Sequence, residues 1–280
     1  MRRTIGQSLR IGIAPHAVSL LRVSRWRGEA VTVLAEHAIT PSAAHPFDAI
    51  ASALRALLGE QQLAGWPAAL VLADELVRLW RVTPPPGATR LDDLEAAAGL
   101  RFQALYGEAP TAWNISADWD AAQPFFAAAV PRALLASLQA VADDCKLSIV
   151  GIEPHCIAAW NRWRRDIKPG AWFALVHEQL LTLAPLDAGG LRAVRTLPLP
   201  PSADADPAWL TQTLRREALL LDMAAPTLLQ ACGALPPGWA RTADAPGLIA
   251  CEALDQAGRK GAALVTPLSG MARLALGGAA

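Results

Sequence analysis

The sequence lacks the cysteine and charge patterns that mark metal sites and nucleic-acid-binding surfaces. Its four cysteines form no C-x-x-C pair and have no histidine at zinc-ligand spacing; they are Cys145, Cys156, Cys232 and Cys251. Basic and acidic residues balance at 25 each, so the overall charge favours neither nucleic acid nor an anionic membrane surface. We therefore expect free thiols in a reducing compartment, no metal and no nucleic-acid partner.

Catalytic motifs are missing as well. The histidines are scattered and none lies near a serine in a Gly-x-Ser-x-Gly turn, so we interpret each as a surface or loop residue. Asp143 and Asp144 are adjacent on a predicted helix, where neighbouring side chains point about 100° apart. A solvated helix face therefore explains them better than a pair of acid–base catalysts.

Long uninterrupted apolar runs are also absent. The N-terminus leads into a polar stretch and not into a signal-peptide core. The apolar run over residues 262–280 is interrupted by Pro267, Arg273 and several glycines, which makes it too broken for a spanning helix. We expect a cytoplasmic protein without direct membrane insertion.

Apolar residues, by contrast, are abundant, at 53% of 280 residues, which supports a substantial core in one large or two ordinary domains. The apolar patterns of the first half predict strands at 9–14, 17–23, 30–39, 66–72, 76–82, 112–115, 125–130 and 147–152, a turn at 25–29, and helices at 46–58, 91–106 and 131–145. Those of the second half predict a helix from about 155, strands at 171–176, 180–185, 191–198 and 227–233, and helices at 208–221 and 247–254.

Each predicted half opens with a β-meander followed by a helix, and four stretches carry a family resemblance. They are the hairpin 11–23, the strand and return 72–79, the segment 140–154 ending in Gly-Ile-Glu-Pro, and the meander 171–198. On these residues the chain resembles the actin-like proteins of the PilM, MshI and GspL cytoplasmic-domain type. The resemblance implies an α/β, actin-like (ribonuclease-H-like) two-domain fold. It places the first domain at 1–153 with a small α+β insertion at 83–130, and the second at 154–280.

The resemblance also locates three nucleotide-binding loops, all of them degenerate. Where active relatives carry an Asp, a Gly and a basic residue in the first hairpin, this chain has Gly12, Ala14 and Ser19. The second phosphate turn contains His177 and Glu178 and has no glycine, although glycine lets backbone N–H groups approach phosphate closely. The adenosine loop keeps a single glycine, Gly233. We expect a pseudo-ATPase with no catalytic residues and no cofactor.

By the same resemblance, the chain is a scaffold of a type IV pilus or type II secretion-like machine, peripheral to the inner membrane. In PilM-type relatives a cleft beside the insertion holds the short cytoplasmic tail of an inner-membrane protein. The strand 76–82 and the helix 91–106 would be its walls here, and the residues predicted to line it are Leu79, Trp80, Leu94, Leu100 and Phe102.

Two other functions stay open. One is an active ATPase or sugar-kinase-like enzyme of the same fold; Gly12 in the position of the Asp argues against it, because such catalysis depends on positioning the metal and the attacking group. The other is the soluble part of a secretion protein whose membrane segment is absent from this sequence.

Overall fold

The computed structural model describes residues 6–24, 30–40, 46–187, 190–204, 206–239, 246–254 and 268–277. The chain divides into two compact units, Met1–Pro154 and His155–Ala280. The turn predicted at residues 25–29 and most of the apolar run 262–280 lie outside the described residues.

The described part of the first unit has eight strands and three α-helices. In chain order they are β1 (Gln7–Ala14), β2 (Ala17–Ser24), β3 (Ala30–Ala38), α1 (Pro46–Gly59), β4 (Pro67–Leu72), β5 (Arg78–Val82), α2 (Leu91–Tyr106), β6 (Trp113–Ala117), β7 (Phe125–Pro131), α3 (Arg132–Asp144) and β8 (Ser148–Pro154).

The main sheet of this unit has the order β3-β2-β1-β4-β8. Strands β1 to β3 are an antiparallel meander, whereas β4 and β8 run parallel to β1. Parallel neighbours need a long crossover, which α1 supplies before β4 and the insertion with α3 supplies before β8. The core joins this sheet to both helices through residues such as Ile11, Leu54, Leu70 and Leu138.

The insertion is a three-stranded antiparallel sheet of order β5-β7-β6 with α2 on one face. It begins earlier than residue 83, because β5 pairs with β7 and not with the main sheet. Residues 74–76, predicted as part of that strand or its turn, form a 3-10 turn whose Leu76 packs in the main core. Helix α2 ends at Gly107, whose left-handed conformation (φ 70°) lets its N–H bond the Gln103 carbonyl.

The second unit repeats the sheet order of the first. Its elements are α4 (His155–Trp163), β9 (Ala171–His177), β10 (Leu180–Ala184), β11 (Leu186–Asp187), β12 (Gly190–Leu191), β13 (Arg195–Pro198), α5 (Pro207–Leu220), β14 (Leu228–Gly233), β15 (Ala250–Ala253) and α6 (Gly270–Ala275). The sheet order β13-β10-β9-β14-β15 again has an antiparallel meander followed by two parallel strands. Strand β9 is buried throughout, as expected for a central strand covered on both faces.

Two predictions for this unit are wrong. The helix predicted at 247–254 is the edge strand β15, paired in parallel with β14; its short apolar run carries no helical period long enough to outweigh the ladder hydrogen bonds. The strand predicted at 191–198 is split, because Leu191 belongs to the small β11–β12 hairpin and only Arg195–Pro198 pairs with β10.

Candidate functional site

The backbone of the first hairpin is held by hydrogen bonds within its ladder and to neighbouring segments. Gly12 pairs with Ser19 within the β1–β2 ladder, and Gly12, Ala14 and Ser19 are all buried. The carbonyl of Ile13 accepts a hydrogen bond from Ala73, and the carbonyl of His16 accepts one from Ile39. The three positions that would carry phosphate chemistry therefore pack inside the strands.

The second turn, between β9 and β10, is formed by Glu178 and Gln179. Glu178 has a φ of 53°, an uncommon conformation for a residue with a side chain. A carboxylate at this turn would repel a phosphate group, and the turn has no glycine to let backbone amides approach one closely.

The glycine of the third loop, Gly233, has a structural role. It ends β14 with φ 101°, and a Cβ atom added there would lie 2.0 Å from the Val176 carbonyl oxygen at the end of β9. The N–H of Ala234 donates to that same oxygen. The single glycine kept in this loop is thus explained by the close approach of two strands.

Two buried histidines, His155 and His177, contact each other beside the second turn. For these two, the prediction that each histidine is a surface or loop residue is wrong. His155 is 2% exposed and His177 is 8% exposed, and their rings lie edge to face with centroids 5.2 Å apart. His155 begins α4, and the spacing of His155, Ala159 and Trp163 marks the buried side of that helix. Burial, with a contribution from the neighbouring His177, lowers the pKa of His155 well below its usual 6.5.

This burial predicts acid sensitivity. The unfolded chain binds a proton at His155 more readily than the folded one, so the stabilising contribution is present above pH 6.5 and is lost as the pH falls below it. We expect the free energy of unfolding to fall by up to about 1.4 kcal/mol per pH unit there. Urea unfolding across this range, with His155→Leu as control, measures the effect; an unchanged slope in the variant would contradict it.

The metal-ligating and thiol side chains of the described residues do not form a further reactive site. Within the described ranges, no three His, Cys, Asp or Glu side chains gather as a metal site requires. None of the four cysteines forms a disulfide, and all are buried or half-buried. Burial, aided by Glu252, raises the pKa of Cys251 to about 12, which keeps that thiol protonated and unreactive.

Three of the residues predicted to line a groove instead form the core of the insertion. Trp80, Leu94 and Phe102 are buried between α2 and the sheet. The Trp80 and Phe102 rings are 5.2 Å apart, and Phe102 also meets Trp113 at 5.4 Å. Their side chains hold the insertion together and are not offered to a partner.

The other two predicted groove residues lie on different surfaces. Leu100 is 70% exposed on α2, away from the sheet. Leu79 is buried on the opposite face of the sheet, next to Ala128. The structure therefore does not bring the five residues together.

Because Leu100 is exposed, we expect its substitution to change the stability of the protein only slightly. Because this side chain makes little buried contact, Leu100→Asp is expected to change the free energy of unfolding by less than about 0.5 kcal/mol. Thermal denaturation of the full chain measures it. A loss above about 1 kcal/mol would mean that Leu100 is packed, contrary to its exposure.

A face that the sequence did not single out lies opposite α2. Strand alternation and register place on it Leu79, Arg81, Asn114, Ser116, Phe126, Ala128 and Val130. We call these residues the helix-free face. Val130, at one end, packs against the main core, while Phe126 and Ala128 are half-buried and Asn114 and Ser116 are exposed.

Several solved structures resemble this chain over most of its length. The cytoplasmic domain of EpsL, an inner membrane component of the type II secretion system of Vibrio cholerae, matches 96% of this chain and 92% of its own at 13% identity, with a TM-score of 0.56. A structure of the PilM–PilN type IV pilus biogenesis complex matches 89% and 88% at 17% identity, with a TM-score of 0.64. A Bacteroides thetaiotaomicron protein with an actin-like ATPase fold and unknown function matches 89% and 91% at 10% identity, with a TM-score of 0.61.

The chain has the actin-like fold. The two-domain α/β fold expected from the sequence is thereby confirmed, and so, at the level of the fold, is the resemblance to pilus and secretion proteins. No family model and no curated protein matches the actin-like chain in sequence. Over the part of the chain that the structure describes, no helix is long and apolar enough to cross a membrane.

Proposed function

We propose that this actin-like chain is a non-catalytic adaptor of a pilus-like or type II secretion-like inner-membrane machine. The observation that carries the proposal is the construction of the two turns where an actin-like ATPase holds phosphate. The first has Gly12, Ala14 and Ser19 buried in its ladder, and the second is built on Glu178 without a glycine. In the first turn Gly12 replaces the carboxylate that would bind the metal, and the second turn lacks the glycine that would let its amides approach phosphate.

The similar structures support the choice of machine. One is described as an inner membrane component of a type II secretion system and another as part of a pilus biogenesis complex with PilN. We therefore propose that the chain works at the cytoplasmic side of the inner membrane. Its partner would be a membrane protein whose short cytoplasmic tail it binds.

The helix-free face is the proposed docking surface for that tail. It combines the half-buried aromatic side chain of Phe126 with the small Ala128, so an extended segment can approach the sheet closely. The buried aromatic cluster behind it fixes the sheet, and the Tyr106 hydroxyl, bonded to the Leu79 carbonyl at 3.0 Å, ties α2 to β5. A preformed surface of this kind binds without a large ordering cost.

The edge of the main sheet is a poorer docking site. Val150, which is 63% exposed, bulges out of β8 because the register with β4 shifts at that point. A bulge on an edge strand breaks the regular row of N–H and C=O groups that an added strand needs. This contrast favours the insertion over β8 as the place where a tail binds.

Membrane recruitment tests the proposal. The full chain is expressed with each inner-membrane protein encoded beside it, and the chain recovered with the membranes is measured. We expect recruitment by one such protein and its loss when that protein's short cytoplasmic tail is deleted. Phe126→Ser, on the helix-free face, should abolish recruitment, whereas the matched change Leu100→Ser, on the outer side of α2, should not. Recruitment that needs no tail, or is lost only with Leu100→Ser, would contradict the proposal.

A further inference from the structure

Arg81 places an unmatched positive charge on the helix-free face. The residue is half-buried, its Nε is fully buried, and among the described residues it forms no hydrogen bond, ion pair or ring contact. Its cross-strand neighbour is Phe126, and Leu79 lies two positions earlier on the same face. A guanidinium with several N–H donors is costly to remove from water unless it is paired.

The other arginine of β5 shows what a satisfied environment looks like. Arg78 lies 3.6 Å from a Glu108 oxygen, and its guanidinium stacks over the rings of Tyr106 and Trp113 at 5.6 and 5.2 Å. Glu108 in turn accepts a hydrogen bond from the Trp113 indole at 3.0 Å. Arg78 therefore has a structural role on the α2 side, and Arg81 has no equivalent on its own side.

The charges available near Arg81 do not neutralise it. The paired residues of β6 on this face, Asn114 and Ser116, are neutral. Asp118, which follows the last paired residue of β6, is exposed and forms no ion pair with any described residue. Any segment that covers Phe126, the cross-strand neighbour of Arg81, would also cover Arg81 and take away its remaining water.

We propose that the segment docking on the helix-free face carries an Asp or Glu side chain that pairs with Arg81. This inference rests on the proposed function and specifies the chemistry of its partner. Because alternate residues of an extended segment face the same way, the acid should stand two positions from an apolar residue that contacts Phe126. A lone arginine between apolar side chains suits a carboxylate in an apolar peptide better than a phosphate group, which attracts several cations or amides.

Selection from a displayed library of random peptides, roughly ten residues long, tests the inference with the full chain as bait. We expect enriched peptides to share one acidic position with an apolar residue two positions away. Replacing that acid by its amide in a selected peptide should weaken binding at least about tenfold. Arg81→Gln should remove the acidic preference and Arg81→Glu should select Lys or Arg instead. Arg101→Gln, the same change on the exposed side of α2, should leave the preference intact.

The outcomes separate the two proposals. Enriched apolar peptides without a fixed acid, or an acidic preference that survives Arg81→Gln, would overturn this inference and leave the proposed function standing. Failure to enrich any peptide would overturn both. The amide-substituted peptide is measured on the unmodified chain, so the inference is tested even if an Arg81 variant does not fold.

Discussion

Gly233→Ala is expected to lower the free energy of unfolding of the second unit by about 3 kcal/mol or more. The added Cβ would lie 2.0 Å from the Val176 oxygen, a backbone atom that cannot move without displacing β9. The φ of 101° adds strain for any residue with a side chain. Gly233 therefore limits how β9 and β14 pack, independently of any nucleotide.

Gly190→Ala is the matched control. Gly190 belongs to the same unit and has nearly the same backbone angle, φ 105°, but among the described residues, its chain neighbours aside, no atom lies within 4 Å of its Cβ position. It should show the strain without the clash, about 1–3 kcal/mol. Hydrogen exchange of the β9 and β14 amides measures both variants in the unit concerned. Equal losses in the two variants would show that the contact with Val176 is not a constraint.

The second large loss of stability is expected when both arginines that bind Glu217 are removed. This glutamate on α5 is 1% exposed, and its two oxygens accept bonds from Arg195 at 3.1 Å and Arg216 at 3.0 Å. The double variant Arg195→Ala/Arg216→Ala leaves a buried carboxylate without a counter-charge, so we expect a loss of about 3–5 kcal/mol.

Glu217→Gln is the comparison that isolates the charge. It removes the carboxylate but keeps the shape of the side chain, and the two half-exposed arginines can return to water. We expect it to cost about 1–2 kcal/mol, clearly less than the double arginine variant. Urea unfolding followed by hydrogen exchange in α5 measures the difference. A smaller loss for the double variant than for Glu217→Gln would mean that the carboxylate is not stabilised by these arginines.

Much of the fold is readable from the sequence because central strands leave strong apolar signals. Segments such as Ala68–Leu72 and Ala171–Val176 are long apolar runs bounded by turns, and both are central strands here. Edge strands leave weaker signals, which is why β15 was predicted as a helix. Its identity depends on pairing with β14, a contact between residues far apart in the sequence.

Burial of single polar residues was harder to predict. A histidine at the start of a helix is usually exposed, and nothing local to His155 reveals that His177, from another element, packs on its ring. Burial within the insertion was hard to predict for the same reason. Trp80 and Leu79 are adjacent on β5, so they point to opposite faces, and only the position of α2 decides which face is core. Arg81 was missed for this reason, although the alternation of β5 already separates it from Trp80.

We propose that this actin-like chain carries out no nucleotide chemistry and acts by binding a partner. Calorimetric titration of the full chain with Mg-ATP tests it most directly. The account predicts no heat of binding at nucleotide concentrations up to about 1 mM, since Gly12 is buried in the hairpin and the second turn carries Glu178 and no glycine. Saturable binding in the micromolar range, above all with release of phosphate, would contradict it.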